Sequence, residues 1–262
     1  MKVVIPRIGR FGLLLTEIVS RCGGVPCTID VEWGQVVRPE QVEAEIIEHR
    51  PGLVAAVHGD TSTTTAQPLA DIGAICRRHD VLFYVDATAT LGGMEFETDA
   101  WGIDVATAGL QKCLGGPPGS APITLSDRAV AAVLARRHDE AGIATGQPQG
   151  EGPVIHSNYF DLAMLMNYWS PARMNHHTEA TSMLYASREA ARIVVEEGVA
   201  ARVERHTRAG RAMVAGLRAM GLQIYGDDVT RMSNVTGVWV PEGVDNARVR
   251  EQMRQDFEIE IV

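Results

Sequence analysis

Short apolar runs alternate with amphipathic stretches over the first two-thirds of the chain. Val3-Val4-Ile5, Cys27-Thr28-Ile29-Asp30-Val31, Leu53-Val54-Ala55-Ala56-Val57, Val81-Leu82-Phe83-Tyr84-Val85 and Val105-Ala106-Thr107-Ala108 read as strands. Between them, Phe11 to Cys22, the segment opened by Pro39 and closed before Pro51, and Pro68 to Arg78 read as helices. Strands apolar on both faces and separated by helices predict an α/β fold: a mostly parallel sheet sandwiched by helices.

Past Gly150 the period becomes helical. Leu162 to Trp169 reads as one helix. A longer one carries Ala180, Met183, Leu184, Ala191, Val194 and Val195 on one face and closes at Gly198, and a third runs from Ala201 to Met220. Leu222 to Tyr225 and Val235 to Val240 read as strands, Asn246 to Gln255 as a helix, and Ile259 to Val262 as a last strand. That is the pattern of a small α/β subdomain. The chain begins directly on a strand and stops on a strand-like run, so both ends read as cut.

Composition narrows the function classes. A net charge of −9 opposes nucleic-acid binding, which needs a basic face. No apolar run approaches the length of a membrane span, and the apolar stretch in Met1 to Arg7 is too short for a signal peptide. Cys22, Cys27, Cys76 and Cys113 are too scattered for a disulfide scaffold and lack the companions of a zinc site. Reduced thiols, a cytoplasmic setting and no metal are expected.

Of the 24 positive side chains only Lys2 and Lys112 are lysine. A role that needs only charge can be filled by Arg, but an amine that must lose its proton and attack a carbonyl cannot. Lys2 is terminal; Lys112 lies mid-chain between an apolar run and a Gly/Pro turn. Chance survival in an Arg-biased chain is the plain alternative, so the neighbours decide. Ligands of open parallel sheets bind outside the carboxyl ends of the strands. The strand ending at Val57 runs into His58-Gly59-Asp60-Thr61-Ser62-Thr63-Thr64-Thr65, whose hydroxyls suit either a phosphate or simple helix capping. The next strand ends on Asp86, a carboxylate that needs a cation or several donors there, or else caps the following turn. Val105 to Ala108 then brings Gln111 and Lys112 to the same edge. An amine, a carboxylate and an anion cradle on one rim match the needs of pyridoxal 5′-phosphate.

These residues carry a family resemblance. Gly9-Arg10-Phe11-Gly12, His58 to Thr63, Asp86-Ala87-Thr88-Ala89, Gln111 to Pro117 and Arg173-Met174-Asn175-His176-His177-Thr178 resemble the class V, fold type I pyridoxal-phosphate aminotransferases, over essentially the whole chain. The nearest branch is that of alanine–glyoxylate enzymes, and within it the (S)-ureidoglycine–glyoxylate aminotransferases of purine breakdown. The resemblance implies a large cofactor-binding domain over residues 1–178, then a connecting helix and incomplete small α/β C-terminal subdomain over 179–262. It implies Lys112 as the Schiff-base lysine and Asp86 as the partner of the pyridinium nitrogen. Thr61 corresponds to the hydroxyl at the ring, Thr88 to the residue packed under it, and Gln111 and Thr178 to further cofactor contacts. The segment from Asn175 to Thr178 is expected to reach into the partner subunit's site, hence a homodimer. Asn175 stands where alanine–glyoxylate enzymes usually have Tyr, and an amide suits a ureido group, which favours ureidoglycine as donor and glyoxylate as acceptor. Adjacent His176 and His177, with ring nitrogens expected to point apart, read as packing rather than as metal ligands. An earlier Gly-rich phosphate-binding segment with a ring-stacking aromatic, and a later carboxylate-clamping Arg, are absent; Arg10 and Arg173 match neither. Two alternatives follow: an alanine– or serine–glyoxylate aminotransferase, or an inactive remnant or dimerising module of the same fold.

Overall fold

The computed structural model describes residues 1–262. In chain order the elements are β1 (Lys2–Arg7), α1 (Arg10–Arg21), β2 (Val25–Asp30), α2 (Pro39–His49), β3 (Leu53–Val57), β4 (Gly59–Asp60), β5 (Thr65–Ala66) and α3 (Ala70–Arg78). They continue with β6 (Leu82–Asp86), β7 (Val105–Thr107), β8 (Ile123–Leu125), α4 (Asp127–Leu134), α5 (Leu162–Trp169), α6 (Thr181–Glu197), α7 (Val199–Ala219) and α8 (Asn246–Phe257). Six strands form one sheet in the order β2-β1-β3-β6-β7-β8. Every pairing in it is parallel except that of β7 with β8.

Alternation along the strands sorts the core onto two faces. Val3, Ile5, Ala55 and Val57 pack with Leu15 of α1 on one. Val4, Val54, Ala56, Phe83 and Val85 pack with Val42 and Ile46 of α2 and Ile72 and Ile75 of α3 on the other. Phe83, Val54 and Val85 have no solvent exposure. Each such side chain contributes on the order of 2 kcal/mol by leaving water.

The end of α1 is fixed from a distance. Its N-cap, Gly9, offers no side chain. The carboxylate of Asp60, 0% exposed, instead accepts the N–H groups of Phe11 at 2.8 Å and Gly12 at 3.4 Å. Ser62 Oγ donates to Asp60 at 2.6 Å and accepts the Arg10 N–H at 2.9 Å. A buried anion without a cation is tolerable there because a helix N-terminus offers unpaired donors and a positive dipole end. Gly9 is required by space: a Cβ would lie 2.6 Å from the Asp60 carboxyl carbon.

Two sets of expectations need correction, and two further elements carry no clear signal in the sequence. Leu222 to Tyr225 and Val235 to Val240 form no sheet; they meet at one bridge, Ile224 to Val238, with Tyr225 N–H donating to Gly237 O and Trp239 N–H to Gln223 O. A two-stranded ribbon without a third strand is marginal, and Ile259 to Val262 joins no strand: Ile259 N–H donates to Met253 O, Ile261 O accepts from Arg250 Nε, and both side chains are exposed. The buried face of α6 is Ala190 and Val194, while Ala191 and Val195 face solvent. Half-buried Ser187, donating to Met183 O at 2.7 Å, continues the stripe that the apolar pattern seemed to break. Finally, β8 and α4 lack a strong apolar pattern. Ser126 Oγ, accepting the Ala129 N–H at 3.2 Å, is the local signal for α4.

Thr64, in the turn between β4 and β5, has φ +53° and a buried hydroxyl with no hydrogen-bond partner. A β-branched residue is strained in that region. Thr64→Gly is expected to raise the thermal midpoint by about 2–4 °C, equivalent to ~1 kcal/mol in a chain of this size. A scanning-calorimetry midpoint at or below that of the parent would refute the strain.

Candidate active site

The site forms where β3, β6 and β7 end level. Val57 pairs with Asp86, and Asp86 with Thr107. Beyond the strands the register is continued by His58 N–H to Asp86 O at 2.9 Å and Ala87 N–H to Thr107 O at 2.8 Å. The turn after β6 begins with Thr88 N–H donating to Asp86 Oδ1 at 2.8 Å. Asp86 Oδ2 has no donor within the chain. Thr88 and Gln111 meet over Gly109, where an added Cβ would lie 2.7 Å from Gln111 Oε1 and 2.8 Å from Thr88 Cγ2. Asp86, Thr88 and Gln111 are thus gathered at one rim.

Lys112 follows in a turn closed by Gly115 N–H to Lys112 O at 2.9 Å and Gly116 N–H to Leu110 O at 2.8 Å. Its side chain is exposed and makes no ion pair. Cys113 faces inward, its Sγ against the Cα of Gly93, so that a side chain on Gly93 would collide with the sulfur. The thiol points toward Ala89 O at 3.6 Å and accepts the Asn234 amide at 3.0 Å.

Hydrogen bonding separates two kinds of polar residue here. Asp60, Ser62, Thr63, Thr65, His58 and Thr90 all bond within the chain. The side chains of Thr61, Thr88, Gln111 and Lys112, and one oxygen of Asp86, make no hydrogen bond within the chain. The first group is structural. The phosphate-cradle reading of the His58–Thr65 turn is therefore corrected: apart from Thr61 and the buried, unpartnered Thr64, its side chains hold α1, nearby backbone and Thr90, because Asp60 is drawn to the donors of α1. Nor does the turn lead into α3, whose N-cap is Leu69.

Asn175 and Thr178 lie in the segment between α5 and α6. Both are exposed, and Asn175 lines a cleft with His138, Asn167, Met174 and His176. Residues 171–180 contain no helix, and His176 Nδ1 and His177 Nδ1 face each other at 2.8 Å rather than pointing apart. Freed from helical geometry, the two rings turn inward: His176 Nε2 meets Asn158 O at 2.8 Å and His177 Nε2 meets Glu179 at 3.1 Å. Arg10 is exposed, its guanidinium over the Phe11 ring, and Arg173 is an exposed residue at φ +46°. Arg202 and Asn234, which hold the Lys112 loop, escaped sequence reasoning. The one available signal was an Arg amid the small apolar positions that open α7.

Residues 15–262 match the family model described as Aminotransferase class-V. The chain belongs to the class V aminotransferase family. It is 49% identical over 263 residues to the (S)-ureidoglycine–glyoxylate transaminase of Bacillus subtilis, and 31% identical over 258 residues to the alanine–glyoxylate aminotransferase of Drosophila melanogaster. These alignments cover 99% and 97% of this chain, but the chain spans only 63% and 62% of those relatives. A crystal structure of the ureidoglycine–glyoxylate aminotransferase from Bacillus subtilis superposes with a TM-score of 0.91 at 48% identity, covering 100% of this chain and 64% of that one.

Class V aminotransferases depend on pyridoxal 5′-phosphate, and the unspent groups at the strand ends of this family member fit that cofactor. A free carboxylate oxygen suits a pyridinium N–H, an unpaired amine suits an aldehyde, and hydroxyl and amide groups suit ring and phosphate oxygens.

His58 lies behind the rim, 5% exposed, with Nδ1 2.8 Å from Thr90 Oγ1 and its ring against Phe96 and Trp101. Burial lowers its pKa from 6.5 to about 4. The unfolded chain therefore binds the extra proton first. Stability is full above pH 6.5, falls as pH drops toward 4, and levels off below; the loss is on the order of 3 kcal/mol. His58→Gln is expected to flatten that slope, measured as denaturation midpoint against pH. An unchanged slope would place the acid sensitivity elsewhere.

Proposed function

We propose that this chain forms the cofactor-binding part of an aminotransferase that takes glyoxylate as amino acceptor, with (S)-ureidoglycine as donor. The observation that carries the reading is the set of unspent polar groups on Asp86, Thr88 and Gln111, the last adjoining in sequence the unpaired amine of one of only two lysines. In this reading Lys112 would hold the cofactor through its aldehyde and, as a base, would move the proton at the donor α-carbon. Asp86 would hold the pyridinium N–H, and Thr61, Thr88, Gln111 and Thr178 would hold the ring and its oxygens. The cofactor, when bound, supplies an electron sink for the pair left at that carbon. The donor leaves as a keto product and glyoxylate, taking the amine, becomes glycine.

The choice of donor draws on the stronger likeness to the Bacillus subtilis enzyme than to the Drosophila one, and on Asn175, whose amide can both donate to and accept from a ureido group. The reading includes a homodimer in which each chain supplies Asn175 and Thr178 to its neighbour's site. It also includes a large domain over 1–178, a connecting helix and small domain over 179–262, and a cytoplasmic setting. No helix is long and apolar enough to cross a membrane.

Adding pyridoxal 5′-phosphate to the purified chain is expected to produce a visible absorbance band that Lys112→Ala abolishes. A band that survives in Lys112→Ala removes the lysine from its role, and no band at saturating cofactor removes the reading. With glyoxylate as acceptor, Asn175→Tyr is expected to lower kcat/KM for ureidoglycine about tenfold or more relative to alanine, the scale of one lost recognition contact. An unchanged donor ratio would exclude Asn175 as the determinant.

A further inference from the structure

We propose that Arg202 and Asn234 are positioning residues for Lys112, acting by clamping its neighbour Cys113 at both carbonyl and thiol. The proposal rests on the reading of Lys112 as the amine that bonds the cofactor. Because the Lys112 side chain has no bond of its own, its position is set by its backbone. That backbone lies in a Gly/Pro-rich loop with left-handed glycines at Gly115 (φ +74°) and Gly119 (φ +111°). Such a loop has much conformational freedom unless it is held from outside.

Both holds come from beyond the sheet. Arg202, buried at the start of α7, directs two guanidinium donors at one acceptor, the Cys113 carbonyl: Nη2 at 2.7 Å and Nε at 3.2 Å. Its charge is balanced by Glu197, which also binds Arg205, so the guanidinium is held at both ends rather than left as an uncompensated buried ion. From the opposite end of the residue, Asn234 Nδ2 donates to Cys113 Sγ at 3.0 Å and to Ala89 O at 2.7 Å. Ala89 belongs to the turn that Asp86 opens. One amide therefore joins the Lys112 loop to the Asp86 turn, and sets the amine relative to the carboxylate. Ala190 of α6 lies under the same loop, 3.3 Å from where a Cβ on Gly116 would stand.

A clamp of this kind raises the chance that the amine and an aldehyde bound at Asp86 meet in reactive geometry. A purely structural role would instead hold α7 and leave Lys112 as it is. The two-lysine composition separates these cases without any cofactor. Reductive methylation with carbon-13 formaldehyde labels Lys2, Lys112 and the terminal amine, and Lys2 serves as internal reference. In Arg202→Met and in Asn234→Leu the Lys112 resonance is expected to shift and broaden while that of Lys2 stays in place. On unmodified protein, formation of the visible band with pyridoxal 5′-phosphate is expected to slow about tenfold, the scale of one charge-assisted hydrogen bond, with partial recovery in Arg202→Lys. A Lys112 resonance superimposable on the parent's in both variants overturns the clamp, whatever their melting temperatures. Should Arg202→Met fail to fold, Asn234→Leu and the milder Asn234→Ser decide by the same resonance. If the parent captures no cofactor, the proposed function falls, while the carbon-13 spectra still judge the clamp.

Discussion

The register of three parallel strands is the constraint on which the site depends. Pairing of Val57 with Asp86 and of Asp86 with Thr107 makes β3, β6 and β7 end level, so the three loops that follow leave from one rim. Slipping β6 by one residue would turn Asp86 to the other face and carry Phe83 and Val85 out of the α2–α3 core. The apolar layers that make the strands stable are thus the same layers that fix where the carboxylate emerges.

Around that rim the chain divides its polar groups between holding the fold and facing outward. Asp60 illustrates the first use. Its burial without a cation is offset by four donors, two of them from the first turn of α1, and this ties the turn after β3 to a helix that begins 50 residues earlier. Asp86 illustrates the second: one oxygen is bound by the turn it opens and the other is free. Both are acids at or just past strand ends, and only their hydrogen bonding distinguishes them.

The α/β class, the parallel core and most helices were legible because their signals are local. Strands with two buried faces are continuous apolar runs, and α2 begins at a proline and ends before another. The position of Lys112 in the loop after β7 was also legible, because it follows an apolar run that reads as a strand of the sheet. The weakly supported segments differ. Leu222 to Tyr225 and Val235 to Val240 have strand composition but no third strand to pair with, and Ser187 hid the true face of α6. The hydroxyl-rich turn after Val57 looked equally suited to an anion or to a cap, since composition does not say which donors lie nearby.

By itself the sequence determined the period of most elements, the two-sided burial of the sheet, and the presence of a scarce lysine and a strand-end aspartate. These follow from side-chain hydrophobicity and reactivity, which each residue carries with it. Tertiary structure alone decided that Asp60 caps α1 while Asp86 stays free, that His176 and His177 face each other, and that Arg202 and Asn234 grip Cys113. Bonds such as Phe11 to Asp60 and Asn234 to Cys113 join residues 49 and 121 positions apart; they depend on where the chain returns, and no local pattern encodes that.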